Sequence, residues 1–259
     1  MLTIDFTRLL AGLEGYGWAF LRVTGFMLLA PVFGAALVPR RVKLVFALAL
    51  TLILAPLTPP SAAIDPLSAN ALLTAAQQVL VGLAIAFVVQ VVFDALVLSG
   101  QLVATTMGLG FATMIDPARG ASTAVVSQFY LILGTLMFLA LDGHIALLGV
   151  LADSFRVLPP GPGTLGPDSF LALAQWGGKI FEAGTMIALP AVVGLVIVNL
   201  ALGIVSRAAP QLNLFAVGFP ISMLLGFAML MLSLPTLQGN LERLFLESID
   251  TAGRIVGTH

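Results

Sequence analysis

No cysteine occurs in the 259 residues, which excludes disulfides, thiolate catalysis and thiolate metal ligation. Histidine is almost as scarce: His144 and His259 are the whole supply. A zinc protease needs two of them one helical turn apart, and no such pair exists. A phosphate-cradling P-loop pattern is also missing, so any ATP-driven work belongs to another chain. Charged residues make up 9% of the chain, against about 25% in ordinary soluble domains. The formal net charge is -1, which supplies no basic face for nucleic acid. A membrane aspartyl protease would need two facing Asp residues; Asp94 and Asp142 are available, but neither sits in a motif suited to that work. Enzyme chemistry, with its cofactors and metals, is not expected.

What the chain has instead is apolar surface. It is 59% hydrophobic with a mean hydropathy of +1.10, the composition of an integral membrane protein. Spanning a bilayer takes about 20 apolar residues per helix. Uncharged runs predict six candidates: Gly15 to Val38, Leu44 to Leu57, Ala71 to Leu98, Ala124 to Leu151, Ala183 to Val205 and Leu214 to Leu234. No strand-like alternation of barrel length appears. The expected fold is an all-α membrane protein of about six long apolar helices in hairpins, with Gly/Pro breaks. Two of those breaks are the loops Pro56 to Pro66 and Leu158 to Ser169, where proline forbids a continuous helix. Asp5 and Glu14 precede the first run, which is longer than a signal peptide's apolar region, so a cleaved signal is not expected. Basic residues in short loops set orientation. Arg40, Arg41 and Lys43, then Arg119, then Arg207 fall on one side by alternation, placing the N-terminus outside. Arg243 and Arg254 in the tail do not fit six crossings.

One stretch is neither helix-like nor polar. Gly100 to Gly120 reads GQLVATTMGLGFATMIDPARG and is uncharged up to Ile115. Gly108 and Gly110 each weaken a helix by about 1 kcal/mol relative to Ala, and Pro117 turns the chain just after Asp116. Broken apolar backbone at membrane depth persists only inside protein or along a cavity. Met107, Phe111 and Met114 are its bulky side chains, suited to a constriction that seals and repacks. A kinked connection buried in an ordinary core fits the same residues equally well.

Ionisable groups inside apolar runs cost about 2.5–3.5 kcal/mol on insertion scales. Arg22 is the clearest case; it either meets an acid or a passage, or it bonds to carbonyls at a kink made by Pro31. Lys179 and Glu182, three apart, are expected to pair. Asp142, Gly143 and His144 either handle a proton, cap a break in the fourth run or meet a partner chain. Gly82 and Ala86 have the small-xxx-small spacing of close helix packing.

Five motifs in order resemble the FliR family of flagellar type III export-gate proteins and their virulence-system counterparts. They are APVFG at Ala30 to Gly34, VPRRVK at Val38 to Lys43, and GLGFATMIDPARG at Gly108 to Gly120. DGH at Asp142 to His144 (with Ser154 and Phe155 downstream) and RAAPQLNLFAVGFP at Arg207 to Pro220 complete the set. The resemblance covers nearly the whole chain. It implies a gate built with FliP and FliQ, joined by FlhB and FlhA, through which unfolded substrates leave the cytoplasm at the flagellar basal body in the bacterial inner membrane. It further implies a FliP-like part over 1–170, with its plug loop at 106–120, and then a FliQ-like hairpin and polar tail over 171–259. The plug positions that match are Met107, Gly108, Gly110, Phe111, Met114 and Asp116. The match to a cytoplasmic closure or partner contact is Arg207, with Gln211 and Asn213. Many of the apolar helices would then meet partners rather than lipid. The competing reading is a small proton-coupled secondary transporter using Arg22, Asp94 and Asp142.

Overall fold

The computed structural model describes residues 6–35, 38–58, 68–109, 125–161, 165–208 and 214–257. Among these residues every regular element is helical. In chain order they are α1 (Phe6–Leu29), α2 (Arg40–Leu54), a 3-10 turn (Ala55–Leu57), α3 (Ala69–Thr106), α4 (Val125–Ala140), α5 (Gly143–Val157), α6 (Pro167–Gly177), α7 (Lys179–Ala208) and α8 (Leu214–Ile255).

The all-α expectation holds, but about six long apolar spans are not found among the described residues. Three stretches are long and apolar enough to cross a bilayer: Ala69–Thr106, Pro167–Ala208 and Gly218–Ile255. A fourth exists if α4 and α5, bent by 66° at their junction, count as one. The reasons are local. The 15 residues of α2 extend about 22 Å, short of the roughly 30 Å hydrocarbon core. The fourth run breaks where Asp142 adopts a left-handed backbone, φ 54°. Other elements overshoot their apolar runs. α3 continues through Gly100 to Thr106, and α8 passes Pro235 to reach Ile255.

The described chain forms two compact units: 1–91, 142–177 and 245–259 in the first, 92–141 and 178–244 in the second. In the first unit α1 and α3 cross at contact distance because glycine stands at the crossing. A Cβ on Gly82 would strike the Arg22 carbonyl oxygen and the Phe26 amide, and one on Gly25 would strike the Val79 backbone. Ala86, next on the small-residue face, is fully buried. α6 docks on α3 through Trp176, whose indole Nε1 donates to the Val88 carbonyl at 2.8 Å. Pro31 does not kink α1; the helix ends at Leu29 and Pro31 lies in the following turn. Arg40, Arg41 and Lys43, expected in a loop, form the first turn of α2, and the Lys43 ammonium donates to the Gly34 carbonyl at 2.7 Å.

In the second unit the C-terminal part of α3 packs on α4. Gly100 lies against the Ser127 backbone and Gly134 against Leu96, so Gly100 marks close packing rather than a break. The Ser127 hydroxyl donates to the Val97 carbonyl at 2.9 Å, and Phe93 meets Phe138 edge to face. α7 packs on α3 at Gly184, beside Ala95 and Leu98, and on α8 at Gly194, beside Met229. Much apolar surface stays uncovered on this hairpin: 22% of the most apolar window in Pro167–Ala208 is buried, against 67% in α3.

Candidate functional site

The C-terminal end of α3 shows how the chain enters the segment expected to act as a plug. A helix end leaves four carbonyls without intrahelical partners, and lipid satisfies none of them. Gly108, with φ 83°, closes the end in a Schellman motif. The Leu109 amide donates to Ala104 O at 3.0 Å and the Gly108 amide to Thr105 O at 3.0 Å, as that motif requires. The Met107 amide still reaches Val103 O at 2.9 Å. Gly108 is therefore a built stop rather than a weak point within a helix. The hydroxyls of Thr105 and Thr106 bond back to Gln101 O and Leu102 O one turn earlier, each at 2.8 Å.

One more carbonyl of this end is met from α7. The Asn199 side-chain amide donates to Thr106 O at 3.1 Å. The Asn199 oxygen in turn accepts from the Ser222 hydroxyl of α8 at 2.9 Å. Met107 is buried and lies where a side chain on Gly226 of α8 would be, its Sδ 2.9 Å from that position. Met107 and Gly108 are thus placed at the root of the expected plug. Gly110, Phe111, Met114 and Asp116 lie outside the described residues, as do Gln211 and Asn213. Arg207 is exposed in the last turn of α7. Asn199 was missed by sequence reading, although it is the one Asn in the run Ala183 to Val205.

Arg22 is the other feature with unusual chemistry, in the first unit. It is fully buried, yet no carboxylate pairs with it among the described residues. Its Nε and Nη2 both donate to Gln78 Oε1, at 2.9 and 2.6 Å. Nη1 donates to Ser154 O at 2.7 Å and to Ser154 Oγ at 3.1 Å, and Nη2 also reaches Leu158 O at 2.6 Å. The guanidinium carbon stands 4.5 Å from the Phe155 ring centroid. Those two carbonyls terminate α5, where the helix dipole favours a cation. Arg22 therefore meets carbonyls, as one expectation held, but they belong to the end of α5 and not to a kink at Pro31. All five of its N–H donors have a neutral acceptor within reach.

Other ionisable candidates have local contacts. Lys179 and Glu182 form the expected pair at 3.3 Å. Asp142 marks the α4–α5 break, its carbonyl accepting from the amides of Ile145 and Ala146. Among the described residues no three His, Asp or Glu side chains gather into a metal-binding group.

These features define a class: a membrane protein, helical throughout its described elements, whose most buried long helix is stopped and anchored just before an apolar stretch of sequence. The sequence matches the family described as "Bacterial export proteins, family 1" over residues 13–248, and the chain belongs to that family. Among curated proteins it is 37% identical to the flagellar biosynthetic protein FliR of Escherichia coli K12, over 99% of this chain and 98% of that one. The FliR of Pectobacterium carotovorum is 38% identical over the same shares, and that of Bacillus subtilis 31% identical over 90% of each chain.

Proposed function

We propose that this chain is a core subunit of the type III flagellar export gate, forming and sealing a conduit for unfolded substrates together with FliP and FliQ. The observation that carries this reading is the end of α3: a buried apolar helix is stopped by Gly108 and tied down at Thr106 directly before the expected plug positions. Membership of the bacterial export family supports it. In this reading Phe111 and Met114 supply the seal, with Met107, Gly108, Gly110 and Asp116 as the other plug positions. Arg207, Gln211 and Asn213 belong to the cytoplasmic closure. The FliP-like part covers 1–170 and the FliQ-like hairpin 171–259. The apolar side chains left exposed on α7 and α8, such as Leu200, Ile204 and Leu224, meet partner subunits there, with FlhB and FlhA joining the assembly in the inner membrane at the basal body. No chemical step is assigned to the chain.

The test replaces Phe111 and Met114 with Ala in a working export complex, with ion leak and secretion as the readouts. Increased leak is the expected result; wild-type leak and secretion refute the plug. A proton-coupled transporter would instead show activity from the purified chain alone in liposomes. Arg22, the cation such a path would use, already has neutral acceptors for all its donors.

A further inference from the structure

We infer that a cleft between α7 and α8 seats the phosphodiester of an anionic glycerophospholipid, with an acyl chain lying along α7. The cleft belongs wholly to the second unit. Lys179, Glu182 and Met186 of α7 line it together with Asn240 and Arg243 of α8. Its depth follows from the sequence. Lys179 and Glu182 stand just before the uncharged run Ala183 to Val205, while Asn240 and Arg243 follow the run Leu214 to Leu234. The two helices therefore bring the polar ends of two apolar runs together, at the level where hydrocarbon gives way to headgroups.

Charge selects the headgroup. Lys179 pairs with Glu182 at 3.3 Å. Arg243 is exposed and has no carboxylate partner among the described residues. The cleft is left with one positive charge in excess, and a phosphodiester carries one negative charge. A guanidinium holds phosphate through two parallel N–H bonds, and the Asn240 side-chain amide is a further donor. Arg243 is also the tail cation that does not fit an orientation set by loop charges alone.

Size and surface favour a lipid over a free anion. The enclosed volume is about 20 Å³, room for about one water-sized group. It grips the edge of a phosphate and cannot enclose a soluble metabolite, so the rest of the ligand lies outside. From Met186 a stripe at helical spacing continues through Leu189, Val193 and Val196, each about half exposed. It runs about 15 Å down the helix, on the cleft side of Leu200 and Ile204. An acyl chain packs along that stripe, and the headgroup decides which lipid stays.

The experiment uses the complete export complex in detergent, and the probe is phosphatidylglycerol with a photoreactive group in its acyl chain. Adducts on the peptide 180–197 are quantified by mass spectrometry as the lipid is titrated, and saturable labelling is expected. Arg243→Gln should raise the half-saturating lipid concentration about fivefold, the worth of one basic residue at an anionic lipid surface. Arg243→Lys should recover part of that loss. Glu182→Gln, which removes the cleft's carboxylate, should bring half-saturation below wild type. Arg254→Gln is the control: an exposed cation of the same helix that already has Asp250 as partner, its loss should leave labelling unchanged. A phosphatidylethanolamine probe, net neutral in its headgroup, should label more weakly, and inorganic phosphate should not compete. Wild-type saturation in Arg243→Gln overturns the inference, and so does equal labelling by the two lipids. Displacement by inorganic phosphate marks a site for the free anion, and a lack of adducts on 180–197 marks a protein neighbour on the stripe; either result overturns it too. Should Arg243→Gln fail to assemble, the opposite shifts of Arg243→Lys and Glu182→Gln carry the same comparison.

Discussion

Replacing Arg22 by Leu tests how the first unit is held together. The guanidinium is fully buried and joins α1 to α3 and α5 through three residues: Gln78 on α3, Ser154 within α5 and Leu158 just beyond it. The Leu variant strands Gln78 Oε1 and Leu158 O, while Ser154 O keeps the Leu158 amide at 3.0 Å. An acceptor left unmet costs about 1–3 kcal/mol, and two are stranded here. A total of about 2–6 kcal/mol is therefore expected, a large share of the stability of most proteins. Arg22→Lys keeps the charge but has three donors on one atom and cannot serve Gln78 and two carbonyls at once. About 1–3 kcal/mol is expected for it. Arg22→Leu combined with Gln78→Leu should recover part of the loss, because an apolar pair leaves fewer stranded groups. Thermal unfolding of the purified complex and the amount of chain retained in membranes measure the series. A Leu variant that melts with the wild type would refute the claim that this cation fastens α5 to α1 and α3.

Gly82→Ala should sharply lower the amount of folded chain, since the new methyl meets the backbone of Arg22 and Phe26 and backbone cannot step aside; wild-type abundance would contradict the close α1–α3 approach. Gly226→Val should disturb the α3 end by displacing Met107, and adding Met107→Ala should restore part of the loss, a coupling that a double-mutant cycle on thermal stability detects. Gly108→Ala places a Cβ in a left-handed backbone and should cost about 1 kcal/mol, read as faster exchange at the amides of Gly108 and Leu109.

How much of this was legible depends on how far apart in sequence the partners lie. Composition and uncharged runs were sufficient for the helical class, because each helix satisfies its own backbone. The Lys179–Glu182 pair was visible because helical spacing alone brings the two together. Arg22 stood out as costly, but its partners lie 56 to 136 residues away, and nothing in a run of apolar residues announces which helix end will accept a cation. Gly108 was marked as a helix weakener, while its use as a left-handed stop depends on hydrogen bonds reaching back to Ala104 and Thr105. The length of the helices was the poorest reading. The sixth apolar run was read as stopping at Leu234, whereas α8 continues through Pro235 to Ile255, since a proline inside a packed helix is tolerated when neighbours cover the freed carbonyl. Asp142 broke a run that hydropathy read as continuous. Asn199 carried a signal, a lone amide in an apolar run, whose meaning depends on α3 ending beside it.

The absence of cysteine makes the most direct measurement clean. Single cysteines placed by Phe111→Cys, Met114→Cys and, as a control at the expected partner contact of α7, Ile204→Cys each report on what touches them when an export substrate bearing one cysteine is arrested in transit. Adducts between the arrested substrate and positions 111 and 114, with none at 204, are the result predicted for a segment that lines and closes the conduit. Adducts at 204 with none at 111 or 114 would contradict it.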